Sequence, residues 1–249
     1  TFVSYTRSML ERIYEDELIR RELRQAVKHM DFDVVYQPQT RIEDGQLVGV
    51  EALLRWKMSD GTPVSPVKFI PELERMGVIY DVGLWVMKHC CAQGQSWLDQ
   101  GMPKFSMAVN ISALQLLNNN FARDVLEVLS TTHFPATMLE LELTESCMVQ
   151  DPAAAEQLMH DLGSIGVQIA IDDFGTGYSS LAYLKRFTTL DKLKIDKSFV
   201  DSIAGGEENV ITNAIISLAK SLNLKAIAEG VEDQSQADYL RKHGCDEIQ

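Results

Sequence analysis

Eight short apolar runs, separated for most of the chain by helical patterns, constrain the fold of this sequence more than any other feature. The runs are 33–37 (DVVYQ), 47–56 (LVGVEALLRW), 106–111 (SMAVNI), 138–143 (MLELEL), 167–171 (VQIAI), 190–195 (LDKLKI), 224–228 (LKAIA) and 245–248 (CDEI). Helical periodicity fills 66–76, 79–99, 113–129, 152–164, 179–186, 207–222 and 233–243. Strands that alternate with helices build parallel β/α units. Eight of them in 249 residues fit an α/β fold, a TIM-type (β/α)8 barrel.

One connection departs from that plan. The first two runs are joined only by 38–46, which contain Asp44-Gly45, a hairpin signal. A parallel crossover needs a dozen or more residues, so the first strand is expected to run antiparallel to the second. Ahead of the barrel, residues 5–30 read as a charged helix with an apolar stripe at Ile19, Leu23, Ala26, Val27 and Met30. The expected division is an N-terminal linker or signalling helix at 1–30 and a barrel at 31–249.

Charge narrows the function classes. There are 23 basic and 36 acidic residues, a net −13, whereas a protein of nucleic-acid polymers needs a basic footprint. The N-terminus carries no signal-peptide pattern and no window reaches 18 apolar residues, so no direct membrane contact is expected. Four cysteines, Cys90, Cys91, Cys147 and Cys245, lack metal-type spacing and read as reduced thiols. The expected location is cytoplasmic, including the cytoplasmic part of a membrane-anchored multidomain protein.

The chemistry collects where the strands end. Asn110 ends the third strand, Glu142 lies near the end of the fourth, Asp172-Asp173 follow the fifth, Lys194 lies on the sixth and Glu229 follows the seventh. Glu51 and Arg55 share one face of the second strand. In barrels the carboxyl ends of strands converge on one mouth. Five carboxylates there (Glu51, Glu142, Asp172, Asp173 and Glu229) repel one another unless cations intervene. The donors are all oxygen, with the Asn110 amide among them, which favours Mg²⁺, Mn²⁺ or Ca²⁺ over zinc. Asp172-Asp173 could flank two ions about 3.5–4 Å apart, an arrangement used on phosphodiesters, while Lys194 and Arg55 offer charge to a phosphate. The stretch 173–180 (DFGTGYSS) lacks the third glycine of a dinucleotide fingerprint. It reads as a loop into a helix capped by Ser179 or Ser180.

At these residues the sequence resembles the EAL family of cyclic di-GMP phosphodiesterases. Glu51-Ala52-Leu53 is the name-giving motif, extended as EALLRW, and YQP at 36–38, NIS at 110–112, ELTES at 142–146 and DDFGTGYSSL at 172–181 follow the family order. KIDKSFV at 194–200, AEGVED at 228–233 and Gln249 complete the match. The resemblance implies a barrel with one antiparallel strand and hydrolysis of cyclic di-GMP to linear pGpG by a two-metal, metal-hydroxide mechanism.

The resemblance also implies roles. Glu51, Asn110, Glu142 and Asp172 would hold one Mg²⁺ or Mn²⁺ ion, and Asp172 would bridge to a second near Asp173, with Ca²⁺ inhibitory. Lys194 would orient or deprotonate the attacking water, and Glu229 and Gln249 would support the metal–water network and the substrate. Gln37, Arg55 and the Leu54 backbone would contact the dinucleotide, and Glu145 would pin the 173–180 loop. A homodimer through the barrel and an upstream GGDEF or sensory domain are the implied partners. The alternative is an inactive EAL receptor that binds cyclic di-GMP uncut. Such receptors are expected to lose metal ligands or the loop glutamate, and all of these residues are present here. The 187–191 link is one residue longer than usual, with a bulge before Lys194 expected to absorb it. The family continues beyond Gln249 into a closing helix, so the natural protein is expected to be longer.

Overall fold

The computed structural model describes residues 7–145, 152–176, 187, 189–203 and 209–249, with side chains from Tyr14 onward. Its first hairpin sets the topology. Strand β1 (Asp33–Arg41) turns back at once into β2 (Leu47–Lys57) and pairs with it antiparallel from Asp33↔Arg55 to Thr40↔Leu47. Gly45 takes φ +69°, a conformation an L side chain resists, and the Asp44 carboxylate accepts from Gln46 N and from Arg41.

After a two-residue β3 (Pro63–Val64) come β4 (Ser106–Ile111), β5 (Leu139–Thr144), β6 (Gln168–Phe174), β7 (Lys192–Ile195), β8 (Lys225–Ala228) and β9 (Glu247–Ile248). The order β1-β9-β8-β7-β6-β5-β4-β2 closes on itself because β1 also pairs with β2, giving an eight-stranded barrel with β3 appended to β2. The expected barrel is therefore observed, and β1 is antiparallel to both of its neighbours.

Helices clothe the barrel: α1 (Arg7–His29), α2 (Pro66–Arg75), α3 (Ile79–Asp99), α4 (Ala113–Leu116), α5 (Phe121–Thr132), α6 (Pro152–Ile165), α7 (Lys197–Asp201), α8 (Val210–Ser221) and α9 (Gln234–His243). The single helix expected at 113–129 is two. Ser112 and Gln115 form a capping box that starts α4. The run Asn118-Asn119-Asn120 then interrupts it, since asparagine side chains compete with the helical backbone. The expected helix at 179–186 lies outside the described residues, and the short α7 had no periodicity long enough to announce it.

The α1 stripe packs as its spacing predicts, with Ile19, Leu23 and Ala26 buried and Arg20 paired to Glu72 of α2 at 2.8 Å. On β5, Leu139, Leu141 and Leu143 join the hydrophobic core beneath the helices, and the alternate residues Glu140 and Glu142 reach over β6 to Lys192 and Lys194 of β7. That alternation is what places charge inside the barrel.

Candidate functional site

Two tiers of polar side chains occupy the barrel interior. In the lower tier the Lys192 ammonium lies 2.9 Å from Glu140 and 2.8 Å from Glu247, all three buried. Two residues further along stand Glu142 and Lys194 on the same strands and Gln249 just past β9, because extended side chains repeat at period two.

The upper tier centres on Lys194, whose ammonium lies 2.6 Å from Glu229, 2.8 Å from Glu142, 3.1 Å from Asp172 and 3.5 Å from Glu51. Burial works against its charge, but the surrounding carboxylates outweigh that and hold its pKa well above the ordinary lysine value. Burial pushes Glu142 well up, and Asp173 up too, with neighbouring carboxylates adding to both. Glu229 is raised to about 7, first by burial and then by Asp172 and Glu51 against the pull of Lys194. Glu51 goes the other way. Burial opposes its charge, yet Lys194 and hydrogen bonds from Gln249 and Asn110 bring its pKa below the usual carboxylate value.

Adjacent residues on a regular strand face opposite sides, so Asp172 and Asp173 should not share the mouth. A bulge resolves this. The β6–β7 register shifts between Ile171 and Phe174, Asp173 adopts φ +53°, and its N–H donates to the Asp172 carboxylate at 3.0 Å. Oxygen atoms of Asp172, Asp173 and Glu229 then lie within 4.8 Å of one another. The bulge expected to absorb the longer 187–191 link falls on a segment that lies partly outside the described residues, and the β6 bulge is a separate feature.

Past the bulge the Gly175 N–H donates to Glu145 Oε2 at 3.0 Å. Gly175 holds φ +96°, and a Cβ there would sit 3.0 Å from the Phe199 ring. Beside the charged tier, a cavity of about 500 Å³ opens among Leu54, Arg55, Pro66, Ile70, Glu74 and Asn110. Arg55 donates to the Leu54 carbonyl at 3.0 Å. Gln37 is exposed on β1 opposite Glu51.

The donor set fits divalent cations. The ligands are oxygen only, four carboxylates ring one ammonium with Asp173 beside two of them, and the buried Glu142 Oε1 has no hydrogen-bond partner among the described residues.

The EAL-domain family model matches residues 20–249. The chain belongs to the EAL domain family. This EAL domain is 39% identical over 243 residues to the bifunctional diguanylate cyclase/cyclic di-GMP phosphodiesterase MucR of Pseudomonas aeruginosa, covering 97% of this chain and 35% of that protein. It is 34% identical over 249 residues to the cyclic di-GMP phosphodiesterase PdeR of Escherichia coli, covering 100% of this chain and 37% of that protein. The domain thus spans about a third of the length of these curated relatives. Among solved structures, the MucR phosphodiesterase in complex with c-di-GMP superposes with TM-score 0.87 at 39% identity, covering 93% of this chain and 94% of that one. The EAL enzyme Bd1971, with cAMP and cyclic di-GMP bound, gives 0.86 at 30%, covering 98% and 66%.

The structure brings Glu51, Asn110, Glu142, Asp172, Asp173, Lys194, Glu229 and Gln249 of the EAL domain into one mouth. Gln37, Leu54 and Arg55 lie at its rim or in the adjoining cavity, and Glu145 lies at the 173–176 segment. Sequence reasoning missed Gln39, which is fully buried and donates to Gln249 Oε1 at 2.9 Å. It also missed the Glu140–Lys192–Glu247 tier. The signal was available: each missed residue stands two positions before or after a residue already chosen on the same strand face.

Proposed function

We propose that this EAL domain is a cyclic di-GMP phosphodiesterase that opens the cyclic dinucleotide to linear pGpG. The observation that carries the reading is the ring of Glu51, Glu142, Asp172 and Glu229 around Lys194, with Asp173 brought beside Asp172 and Glu229 by the β6 bulge. Relatives named as cyclic di-GMP phosphodiesterases over nearly the whole chain support it. In the reaction one P–O bond breaks, the oxygen of water joins phosphorus, and a proton goes to the departing ribose oxygen.

Glu51, Asn110, Glu142 and Asp172 would hold one Mg²⁺ or Mn²⁺ ion, and Asp172 with Asp173 and Glu229 a second. When bound, the ions supply positive charge to the phosphate and lower the pKa of a water molecule. In the metal-free protein the carboxylates hold the Lys194 pKa well above the ordinary lysine value, and its ammonium lies within 3.5 Å of four of them, a position from which it would orient the attacking water. Arg55, the Leu54 backbone and Gln37 lie where a dinucleotide leaving the charged tier would run into the cavity. Glu145 fixes Gly175 and with it the start of the loop that carries Asp173. The domain acts in the cytoplasm, pairs through the barrel as a homodimer, and takes its input from an upstream GGDEF or sensory domain.

Product analysis tests this. Incubation with cyclic di-GMP and Mg²⁺ or Mn²⁺ yields linear pGpG, and Ca²⁺ supports little turnover because its looser coordination suits the site poorly. Tight binding of cyclic di-GMP with no linear product would make the domain a receptor instead.

A further inference from the structure

The carboxylate of Glu51 accepts a hydrogen bond on each oxygen: Asn110 Nδ2 donates to Oε1 at 2.7 Å and Gln249 Nε2 donates to Oε2 at 2.5 Å. An ionised carboxylate only accepts, so both amides must turn their NH₂ groups towards it. For Gln249 this has a consequence on its far side, where its carbonyl oxygen now faces into the barrel and requires a donor. Gln39 Nε2 is that donor, 2.9 Å away.

Gln39 is built for the task. It is fully buried on β1, and the register slips between Gln39 and Thr40. Its cross-strand partner is Gly49, where a Cβ would come within 2.7 Å of Gln39 Oε1, so the glycine leaves the space the amide occupies. The Gln249 backbone is also held, its N–H donating to Ala228 O and its carbonyl accepting from Val231 N. The rotation of the Gln249 amide is then set from its side chain, by Glu51 on one side and Gln39 on the other.

We propose that Gln39 is a positioning residue for the metal centre, acting through Gln249 to hold the Glu51 carboxylate in its ligating orientation. The inference rests on the reading of the site as a metal centre. Partners behind a ligand set its orientation, and losing one typically weakens metal binding by about 10–100-fold. Gln39 has no place in the mouth itself and reaches it only through Gln249, so metal affinity measured without the dinucleotide reads its effect directly.

The test is Mn²⁺ binding to the metal-free protein, followed by the electron paramagnetic resonance of free Mn²⁺, with thermal unfolding in EDTA alongside. Gln39→Leu is expected to raise the Mn²⁺ dissociation constant about 10–100-fold. Gln39→Met, whose flexible thioether fills the same space without a donor, gives the same result should the leucine variant not fold. Gln249→Leu weakens Mn²⁺ similarly, and the double variant Gln39→Leu/Gln249→Leu binds no more weakly than Gln249→Leu alone, because the two residues act in series. A loss through packing alone would add instead. A folded Gln39 variant that binds Mn²⁺ within about twofold of the parent, or losses that add, overturns the relay while leaving the phosphodiesterase reading untouched. A parent protein that binds no Mn²⁺ overturns the metal-centre reading and the relay with it.

Discussion

Lys194 Nζ and Glu142 Oε2 lie 2.8 Å apart inside the barrel, with side chains only 1% and 0% exposed. Breaking a buried pair from one side leaves the other charge unbalanced, at about 3–5 kcal/mol. Lys194→Met is therefore expected to lose about that much stability in EDTA and to recover part of it in Mg²⁺. Urea unfolding in the two conditions measures both values, and a loss unaffected by Mg²⁺ would count against cation binding at this tier.

Glu51→Ala removes a proposed ligand held from both sides by amides. Turnover of cyclic di-GMP should drop by more than the ~100-fold upper range for a supporting partner, with the circular dichroism spectrum unchanged. Turnover like that of the parent protein would show that Glu51 is not a ligand.

The metal-free protein should lose stability as pH rises. The Glu229 carboxyl is raised from the usual 4.5 to about 7 when folded, so between those values the native state binds more protons than the unfolded chain. Stability then falls with increasing pH through that window, and the raised Asp173 and Glu142 act in the same direction. In EDTA, Tm at pH 8 should lie below Tm at pH 5.5, and saturating Mg²⁺ should remove most of the difference. A Tm in EDTA that rises with pH across this range contradicts the assignment.

Gly175→Ala places a β-carbon on a backbone at φ +96° and against the Phe199 ring. The strain is about 1–3 kcal/mol, and relieving it pulls the Gly175 N–H from Glu145. Mn²⁺ binding and activity should both weaken, and Glu145→Ala should weaken them without the backbone strain. Unfolding curves and Mn²⁺ titrations of the two variants separate these effects.

Leu23 of α1 is fully buried. Leu23→Ala should cost about 2–5 kcal/mol by urea unfolding, because α1 shares the hydrophobic core of the barrel. A cost below about 1 kcal/mol would mean that the helix adds little to the barrel's stability.

What the sequence by itself determined is the part governed by local rules. Period-two alternation put Leu139, Leu141 and Leu143 on one face of β5 and Glu140 and Glu142 on the other. The Asp44-Gly45 turn made the first strand antiparallel, strand ends identified Asn110, Glu142 and Glu229, and positions along strands identified Glu51 and Lys194. Tertiary structure decided what depends on closure of the ring and on register. Only the closed barrel sets Lys194 among carboxylates from β2, β5, β6 and the end of β8. Only the β6 bulge turns two consecutive aspartates into one mouth, because a regular strand would have pointed them apart. Gln39 and Gln249, 210 positions apart, meet only because β1 and β9 are the strands that close the barrel. Hydrogen bonds across such a closure follow from which strands become neighbours in space, and no local periodicity carries that information.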